Sequence, residues 1–189
     1  MILTLTGASG AGKSTLAKEL VRLLRSAKLS PGCTTRAVRP NETAADVHHL
    51  SQQEFSEMHQ RGEFLWAVEV HGHWYGTLRR VIATGLAARE HCLLLVLTSD
   101  VLPILRDFAT ERGQREALRS VYVLSPEPSI LRARLSARET GSEAIDRRVV
   151  DCLAWDRAAG SSGLYDLLVP GEGEVELNAL RVINSLAIV

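Results

Sequence analysis

The feature that most constrains this chain is a run of nine residues near its start, Gly7-Ala8-Ser9-Gly10-Ala11-Gly12-Lys13-Ser14-Thr15. It matches the pattern G-x-x-x-x-G-K-[ST] in full. The apolar run Ile2–Thr6 before it predicts a strand, and helically spaced leucines after it predict a helix. The glycines allow successive backbone N–H groups to point at phosphate oxygens, and the start of the helix favours a bound anion. The segment therefore predicts a site for the phosphates of a nucleoside triphosphate.

Two side chains of this loop have expected chemical roles. Lys13 is expected to reach the β- and γ-phosphates, and the hydroxyl of Ser14 is expected to ligate Mg²⁺. ATP and Mg²⁺ are therefore the expected cofactors, and all nine residues are candidate nucleotide-binding residues. The motif predicts the donor of a reaction and leaves the acceptor open.

Composition and charge exclude several other classes of function. The chain has 189 residues, of which 46% are hydrophobic and 23% charged, as is ordinary for a globular protein. Lys+Arg and Asp+Glu both number 22, so there is no basic excess of the kind that nucleic-acid binders carry. No apolar run reaches the roughly 18–20 residues of a membrane helix. We therefore expect no nucleic-acid partner and no membrane, and a monomer or homodimer.

The cysteines indicate the redox environment. Cys33, Cys92 and Cys152 are an odd number, are widely spaced and form no C-x-x-C pair. A disulfide framework or a zinc site is therefore not expected, and a reduced cytoplasmic setting is.

Short apolar runs alternate with helical patterns through most of the chain. Runs such as Cys92–Leu97 and Ser120–Leu124 are typical of strands that are buried on both faces. This alternation predicts an α/β P-loop fold, with three layers and a parallel sheet between helices. Residues 32–80 interrupt it with turns and short strands. We therefore predict a core formed by residues 1–31 and 81–189 and an inserted lobe at 32–80.

Further motifs lie within and after this lobe. The run Thr34-Thr35-Arg36-Ala37-Val38-Arg39 places two arginines three residues apart in a loop, where their planar guanidinium groups suit phosphate. G-E-F-L follows at 62–65 and V-H-G-H-W-Y-G-T at 70–77. R-L-S-A-R at 134–138 and I-D-R-R at 145–148 come later. With the phosphate loop, these motifs resemble those of the guanylate kinase family of nucleoside monophosphate kinases, in the same order and over nearly the whole chain.

The resemblance implies an ATP-dependent phosphotransferase whose acceptor is the phosphate of a nucleoside monophosphate, with GMP as the first expectation. Residues 32–80 would bind this acceptor. Arginines and a tyrosine would hold its phosphate, Glu42 would orient the arginines, and Thr77 would face the base. The implied substrate-binding set is Arg36, Arg39, Glu42, Glu69, Tyr75 and Thr77.

The same resemblance implies a helical lid at residues 132–148. Arg134, Arg138 and Arg148 would clamp the transferring phosphoryl group when this lid closes, and with Lys13 they form the expected catalytic set. Phosphoryl transfer requires in-line positioning and charge neutralisation, and both are roles that arginines fill.

The chain departs from the family pattern at positions that bear on the acceptor base. Gly32 stands where the family has a serine that helps to read guanine, and Trp66 replaces a glutamate that reads the guanine edge. Val47 replaces a tyrosine that contacts the acceptor phosphate. Because guanine is discriminated by hydrogen bonds to its edge, these losses predict a weak preference for GMP.

Two further departures concern the donor and the metal. An acidic residue expected at the end of a core strand is replaced by Leu97, and Asp100 is the acid that follows most closely. The family's Asn-Asp near the donor adenine is replaced by Pro170-Gly171.

Two alternative functions stay open at this point. Ribose 1,5-bisphosphate phosphokinases, which act on a sugar phosphate, share the phosphate loop and carry a stretch similar to Val68–Gly72. Some guanylate-kinase-like domains are non-catalytic binding modules. The complete Lys13-Ser14 pair argues against such a module, because a scaffold has no need for a triphosphate site.

Overall fold

A computed structural model of the chain describes residues 1–38, 43, 47–70, 72–88, 90–137 and 141–188. The chain forms two compact units. The first comprises Met1–Leu3, Ser26–Leu95 and Asp100–Leu118. The second comprises Thr4–Arg25, Val96–Ser99 and Arg119–Val189.

Strands and helices are distributed along the whole of the described chain. The strands are β1 (Ile2–Gly7), β2 (Ala27–Leu29), β3 (Gly32–Thr34), β4 (Val47–His49), β5 (Phe64–Val70), β6 (His73–Leu78), β7 (Cys92–Val96), β8 (Leu118–Val123) and β9 (Leu167–Val169). The helices are α1 (Lys13–Leu23), α2 (Gln52–Gln60), α3 (Arg79–Ala87), α4 (Leu102–Glu111), α5 (Pro128–Ser136), α6 (Ser142–Ser161) and α7 (Val175–Ser185). None of the helices within these ranges is both long and apolar enough to cross a membrane.

A five-stranded parallel sheet forms the centre of the fold, in the order β2-β7-β1-β8-β9. The central strand β1 is buried on both faces, with Ile2, Leu3 and Leu5 fully enclosed. Thr4 and Thr6 are also buried, and their hydroxyls donate hydrogen bonds to backbone carbonyls of Arg119 and Val121 at 3.4 and 3.3 Å. Buried hydroxyls need such partners. The predicted α/β fold with a parallel sheet is confirmed.

A second sheet of four strands lies within residues 32–78, in the order β4-β3-β6-β5. Helix α2 packs on one face of it, where the rings of Phe55 and Phe64 stack with their centroids 4.5 Å apart. The residues Ser51-Gln52-Gln53-Glu54 have the pattern of a capping box, which predicts a helix start at this point. The structure confirms it: the Ser51 hydroxyl accepts from the Glu54 N–H, and the Glu54 carboxylate accepts from the Ser51 N–H. This reciprocal pair satisfies two N–H groups at the helix start.

Helix α1 ends three residues earlier than its sequence pattern suggests. A helix from Ser14 to Ser26 is predicted, but the chain is already extended at Leu24. Residues Ala27–Leu29 then pair with Cys92–Leu94 as an edge strand of the central sheet. The pairing with β7 therefore takes precedence over continuation of the helix, a long-range effect that local spacing does not carry.

Candidate functional site

The nine-residue loop joins β1 to α1, as its motif requires. Its three glycines, Gly7, Gly10 and Gly12, have φ of +141°, +82° and +98°. Such angles are readily available only to glycine, and they let the backbone wrap tightly between strand and helix. Gly12 is the N-cap of α1, so it is followed directly by the N–H groups of the first helical turn, which an α-helix does not pair internally.

Lys13 is the first residue of α1, and its side chain folds back over the loop. Its Nζ donates to the carbonyls of Gly7 at 2.9 Å and Ala8 at 2.8 Å. Ser14 and Thr15 follow in the same turn, which contains no acidic side chain. The positive end of the helix dipole and the Lys13 ammonium group therefore lie close together. Both attract the negative charge of bound phosphate groups.

A cluster of buried apolar side chains packs against the phosphate loop. Its buried members come from the loop and from helices α5 and α6, and they are Ala8, Leu131, Leu135, Ile145, Val149 and Cys152. Burial raises the pKa of the Cys152 thiol, and the neighbouring carboxylate of Asp156 raises it further, while the charges of Arg148 and Lys13 act in the opposite direction. The thiol therefore stays protonated and packs as an apolar group. Arg148 is half-buried and lies one turn before Cys152 on α6.

Arg134 also contacts the loop. Its Nη1 donates to the carbonyl of Gly10 at 2.9 Å and to the carbonyl of Gly171 at 3.0 Å. The structure thus brings Arg134 and the phosphate loop together through backbone oxygens. Arg138, the third expected lid arginine, lies outside the described residues.

The positions expected to hold a metal differ in character. Ser14 lies in the first turn of α1, directly after Lys13. Leu97 follows β7, and its N–H donates to the Leu5 carbonyl at 3.1 Å. Asp100 belongs to the 3₁₀ turn Ser99–Val101. Of these three residues, Ser14 is the one that belongs to the phosphate loop.

In the other unit, Tyr75 and Thr77, two of the six expected acceptor residues, share one face of the four-stranded sheet. Tyr75 lies opposite Thr34 and Val68, and Thr77 lies opposite Trp66. Residues directly opposite in a sheet point to the same side. We call this surface, defined by Gly32, Thr34, Trp66, Tyr75 and Thr77, the Tyr75 face; α2 packs on the other side.

Glu69 does not lie on the Tyr75 face. It pairs with Trp74, whose ring packs against Phe55 of α2 on the opposite side of the sheet. A β-bulge between Phe64 and Trp66 causes this, because one extra residue shifts the alternation of every later side chain in β5. The structure therefore does not bring Glu69 together with Tyr75 and Thr77.

The loop that carries Arg36 is held at several points. The Arg36 N–H donates to Thr34 Oγ1 at 3.1 Å, and its guanidinium Nη1 donates to the Ala37 carbonyl at 2.7 Å. His49 Nδ1 lies 2.7 Å from the Arg36 carbonyl, which can only accept, so Nδ1 is the donor. The sequence does not indicate His49, because only the pairing of β3 with β4 sets it beside Thr34. Arg39 and Glu42 lie outside the described residues.

The departures at the base-reading positions cluster on the Tyr75 face. A Cβ on Gly32 would lie 3.5 Å from the Gly76 carbonyl and 4.0 Å from Thr77 Oγ1, so a small side chain fits there. Val47 is the strand neighbour of Gly32. Trp66 is only 6% exposed, so its indole fills space beside Thr77. This part of the face therefore offers one hydroxyl and an aromatic ring, with no carboxylate among these positions.

Comparison with known proteins places these features in a wider group. The family model for guanylate kinase matches residues 1–173. Guanylate kinase from Thermotoga maritima is 32% identical over 144 residues, covering 76% of this chain and 66% of that protein. The enzyme of the same name from Anaeromyxobacter dehalogenans is 35% identical over 171 residues, covering 89% and 72%. The crystal structure of guanylate kinase from Anaplasma phagocytophilum has the same fold, with a TM-score of 0.66 over 99% of this chain and 84% of that one, at 24% identity.

Proposed function

The chain belongs to the guanylate kinase family, and we propose on this basis that it transfers the γ-phosphate of ATP to the phosphate of GMP, with ADP and GDP as products. Members of this family are ATP-dependent nucleoside monophosphate kinases. The observation that carries the proposal is Lys13 at the start of α1, folded over a complete phosphate loop, in a chain that matches the family along residues 1–173. The sugar-phosphate kinase and the non-catalytic binding module are not favoured.

On the donor side, the phosphate loop and Lys13 would bind the triphosphate of ATP. Among the residues that the structure describes, no group of three His, Cys, Asp or Glu side chains could hold a metal ion. Mg²⁺ would therefore be held by the Ser14 hydroxyl together with phosphate oxygens and water, as is usual for this ion. When bound, the ion neutralises charge on the phosphates.

On the acceptor side, the proposal assigns the phosphate to Arg36 and Tyr75 and the base to the neighbourhood of Thr77. The attacking atom is an oxygen of the acceptor phosphate, so no general base is needed and the chain has to supply alignment and charge. Residues 32–80 would form the acceptor lobe and residues 132–148 the lid, with Arg148, Arg138 and Arg134 neutralising the transferred group.

The setting of the protein is part of the same proposal. Cys33, Cys92 and Cys152 are buried free thiols, and burial raises the pKa of Cys92 to about 11. Unreactive, reduced thiols agree with the expected cytoplasmic setting. A monomer or a homodimer, without nucleic acid or membrane, remains the expected state.

Replacing Arg36 with alanine is expected to raise the KM for GMP and to lower kcat, and to leave the affinity for ATP nearly unchanged. Arg36→Lys should restore only part of the activity, because a point charge cannot reproduce a two-pronged guanidinium contact. Arg61→Ala is the matched control, since Arg61 is an exposed arginine of the same unit paired with Glu63. Steady-state kinetics with each substrate varied would measure both constants. Equal loss of ATP affinity would remove Arg36 from the acceptor site.

The preference for GMP over other acceptors is expected to be weak. A site that tolerates a base without hydrogen-bonding its edge separates analogues by about 1–3 kcal/mol, so we predict less than roughly a hundredfold preference for GMP over AMP in kcat/KM. Gly32→Ser, which the local space admits, should raise that preference by adding a hydroxyl beside Thr77. The measurement is kcat/KM for GMP, AMP and ribose 1,5-bisphosphate with both proteins.

Two results would contradict this account of the acceptor. A preference for GMP above about 10⁴ would mean that groups other than those at positions 32 and 66 read guanine. Turnover of ribose 1,5-bisphosphate alone would replace the proposed reaction with that of a sugar-phosphate kinase.

A further inference from the structure

The segment after β9 is pressed directly against the phosphate loop. A Cβ on Gly171 would lie 2.5 Å from the Ala11 carbonyl oxygen and 2.1 Å from the Leu124 carbonyl oxygen. Both contacts are with backbone, which cannot move aside as the end of a side chain can. Glycine is therefore the one residue that lets the chain at 171 approach residue 11 of the loop this closely.

A buried amide in α7 holds this segment from behind. Asn178 is 9% exposed, and its Nδ2 donates to the Pro170 carbonyl at 3.2 Å and to the Glu172 carbonyl at 2.9 Å. An asparagine NH₂ group has two hydrogens, and both are used on carbonyls that flank Gly171. The Glu172 carboxylate also accepts from the N–H of Glu127 at 3.0 Å. The segment is thus fixed in position on each side of the glycine.

Arg134 links the same segment to the phosphate loop. Its Nη1 bridges the Gly171 carbonyl and the Gly10 carbonyl, at 3.0 and 2.9 Å. A carbonyl oxygen repels phosphate, and the guanidinium keeps the Gly10 oxygen directed at a cation. The chain of contacts therefore runs from α7 through residues 170–172 to residues 10–12 of the phosphate loop.

We propose that Asn178 and Gly171 are positioning residues of the donor site. Together with Arg134 they form a clasp, defined as these three residues, which holds residues 10–12 of the loop in the shape that binds phosphate. The inference rests on the proposed use of ATP and adds residues that lie more than 150 positions from the motif they support. Because the contacts of the clasp lead to the phosphate loop, its loss should affect the donor and spare the acceptor.

The test compares Asn178→Leu and Asn178→Asp with the parent protein. Leucine keeps about the same volume without donors, and aspartate keeps the shape while presenting oxygens to two carbonyls. Titration with ATP in the absence of acceptor should give a Kd raised about tenfold, as expected when hydrogen bonds to a buried segment are lost. The KM for ATP should rise in parallel, and the KM for GMP should stay within about twofold. Asn184→Leu, at an exposed position of the same helix, is the matched control and should change none of these values.

A purely structural role for Asn178 makes a different prediction. It would lower the midpoint of thermal unfolding and the fraction of active protein while leaving the Kd and KM for ATP at parental values. That result would overturn the proposal that the clasp positions the donor site. If Asn178→Leu does not fold, Asn178→Asp and Gly171→Ala carry the same comparison, and unchanged ATP affinity in Gly171→Ala would equally contradict it. Failure of the proposed function is separate, because a parent protein that binds ATP without phosphorylating GMP still allows the Kd comparison.

Discussion

Replacing Lys13 with alanine is expected to lower kcat by a factor on the order of 10²–10³. The Lys13 Nζ lies over the loop, within hydrogen-bond distance of the Gly7 and Ala8 carbonyls, and is therefore positioned to follow charge on the β- and γ-phosphates. An ammonium group that stabilises developing charge in transfer contributes more to the transition state than to the ground state. The measurement is steady-state ADP formation at saturating ATP and GMP.

The control for this substitution is Lys18→Ala. Lys18 is exposed on the same helix, one turn beyond the loop, so its loss removes the same charge without affecting the donor site. It should retain the parental rate. If Lys13→Ala turns over as fast as the parent protein, the phosphate loop is not part of the catalytic machinery.

Replacing Gly7 with alanine is expected to destabilise the fold by about 3 kcal/mol or more. The residue has φ of +141°, and a Cβ there would lie 2.3 Å from the Val123 carbonyl oxygen of the neighbouring strand. Relief requires β1 and β8 to separate where the phosphate loop begins, so ATP binding should be lost as well. Urea unfolding of the parent and variant measures the first effect, and ATP titration measures the second.

Gly62→Ala separates backbone strain from overlap. Gly62 also has a positive φ, +67°, but a Cβ added there would have no heavy atom of the described residues within 4 Å beyond its chain neighbours. Its substitution should therefore cost only the left-handed backbone penalty, about 1–2 kcal/mol. A Gly7→Ala variant no less stable than Gly62→Ala would mean that the contact with Val123 does not constrain the loop.

Local patterns were sufficient for much of the fold. The phosphate-loop motif, flanked by an apolar run and spaced leucines, predicts β1, the loop and α1, and the structure confirms them. Ser51 and Glu54 predict the start of α2 for the same reason, since a capping box involves only neighbouring residues. The apolar run at 92–97 predicts β7. These features share one property, which is that their cause lies within a few residues of sequence.

The remaining elements depend on contacts that a linear pattern does not contain. β2 and β4 are three residues each and exist because neighbouring strands pair with them. Uninterrupted alternation along β5 would put Glu69 on the side of Thr77, and the bulge near Trp66 reverses this. A bulge is a mismatch between two strands, so neither strand reveals it alone.

The residues of the donor site also divide into those that a local pattern predicts and those that depend on long-range contacts. The motif predicts Lys13 and Ser14, but it carries no sign of Asn178 or of the reason for a glycine at 171. Those residues act through carbonyl groups, which every residue possesses, so side-chain chemistry does not mark them. Gly171 and Ala11 are far apart in the sequence and lie against each other only in the folded structure.

The ATP-dependent phosphorylation of GMP can be observed by following the label from γ-³²P-ATP in the presence of Mg²⁺ and GMP. We expect labelled GDP to form in an amount equal to the ADP released, and to fall to background when GMP is left out. We also expect Lys13→Ala, at equal protein concentration, to form labelled GDP at a rate lower by about 10²–10³. If the folded parent protein binds ATP but forms no labelled GDP, the chain is not a GMP kinase.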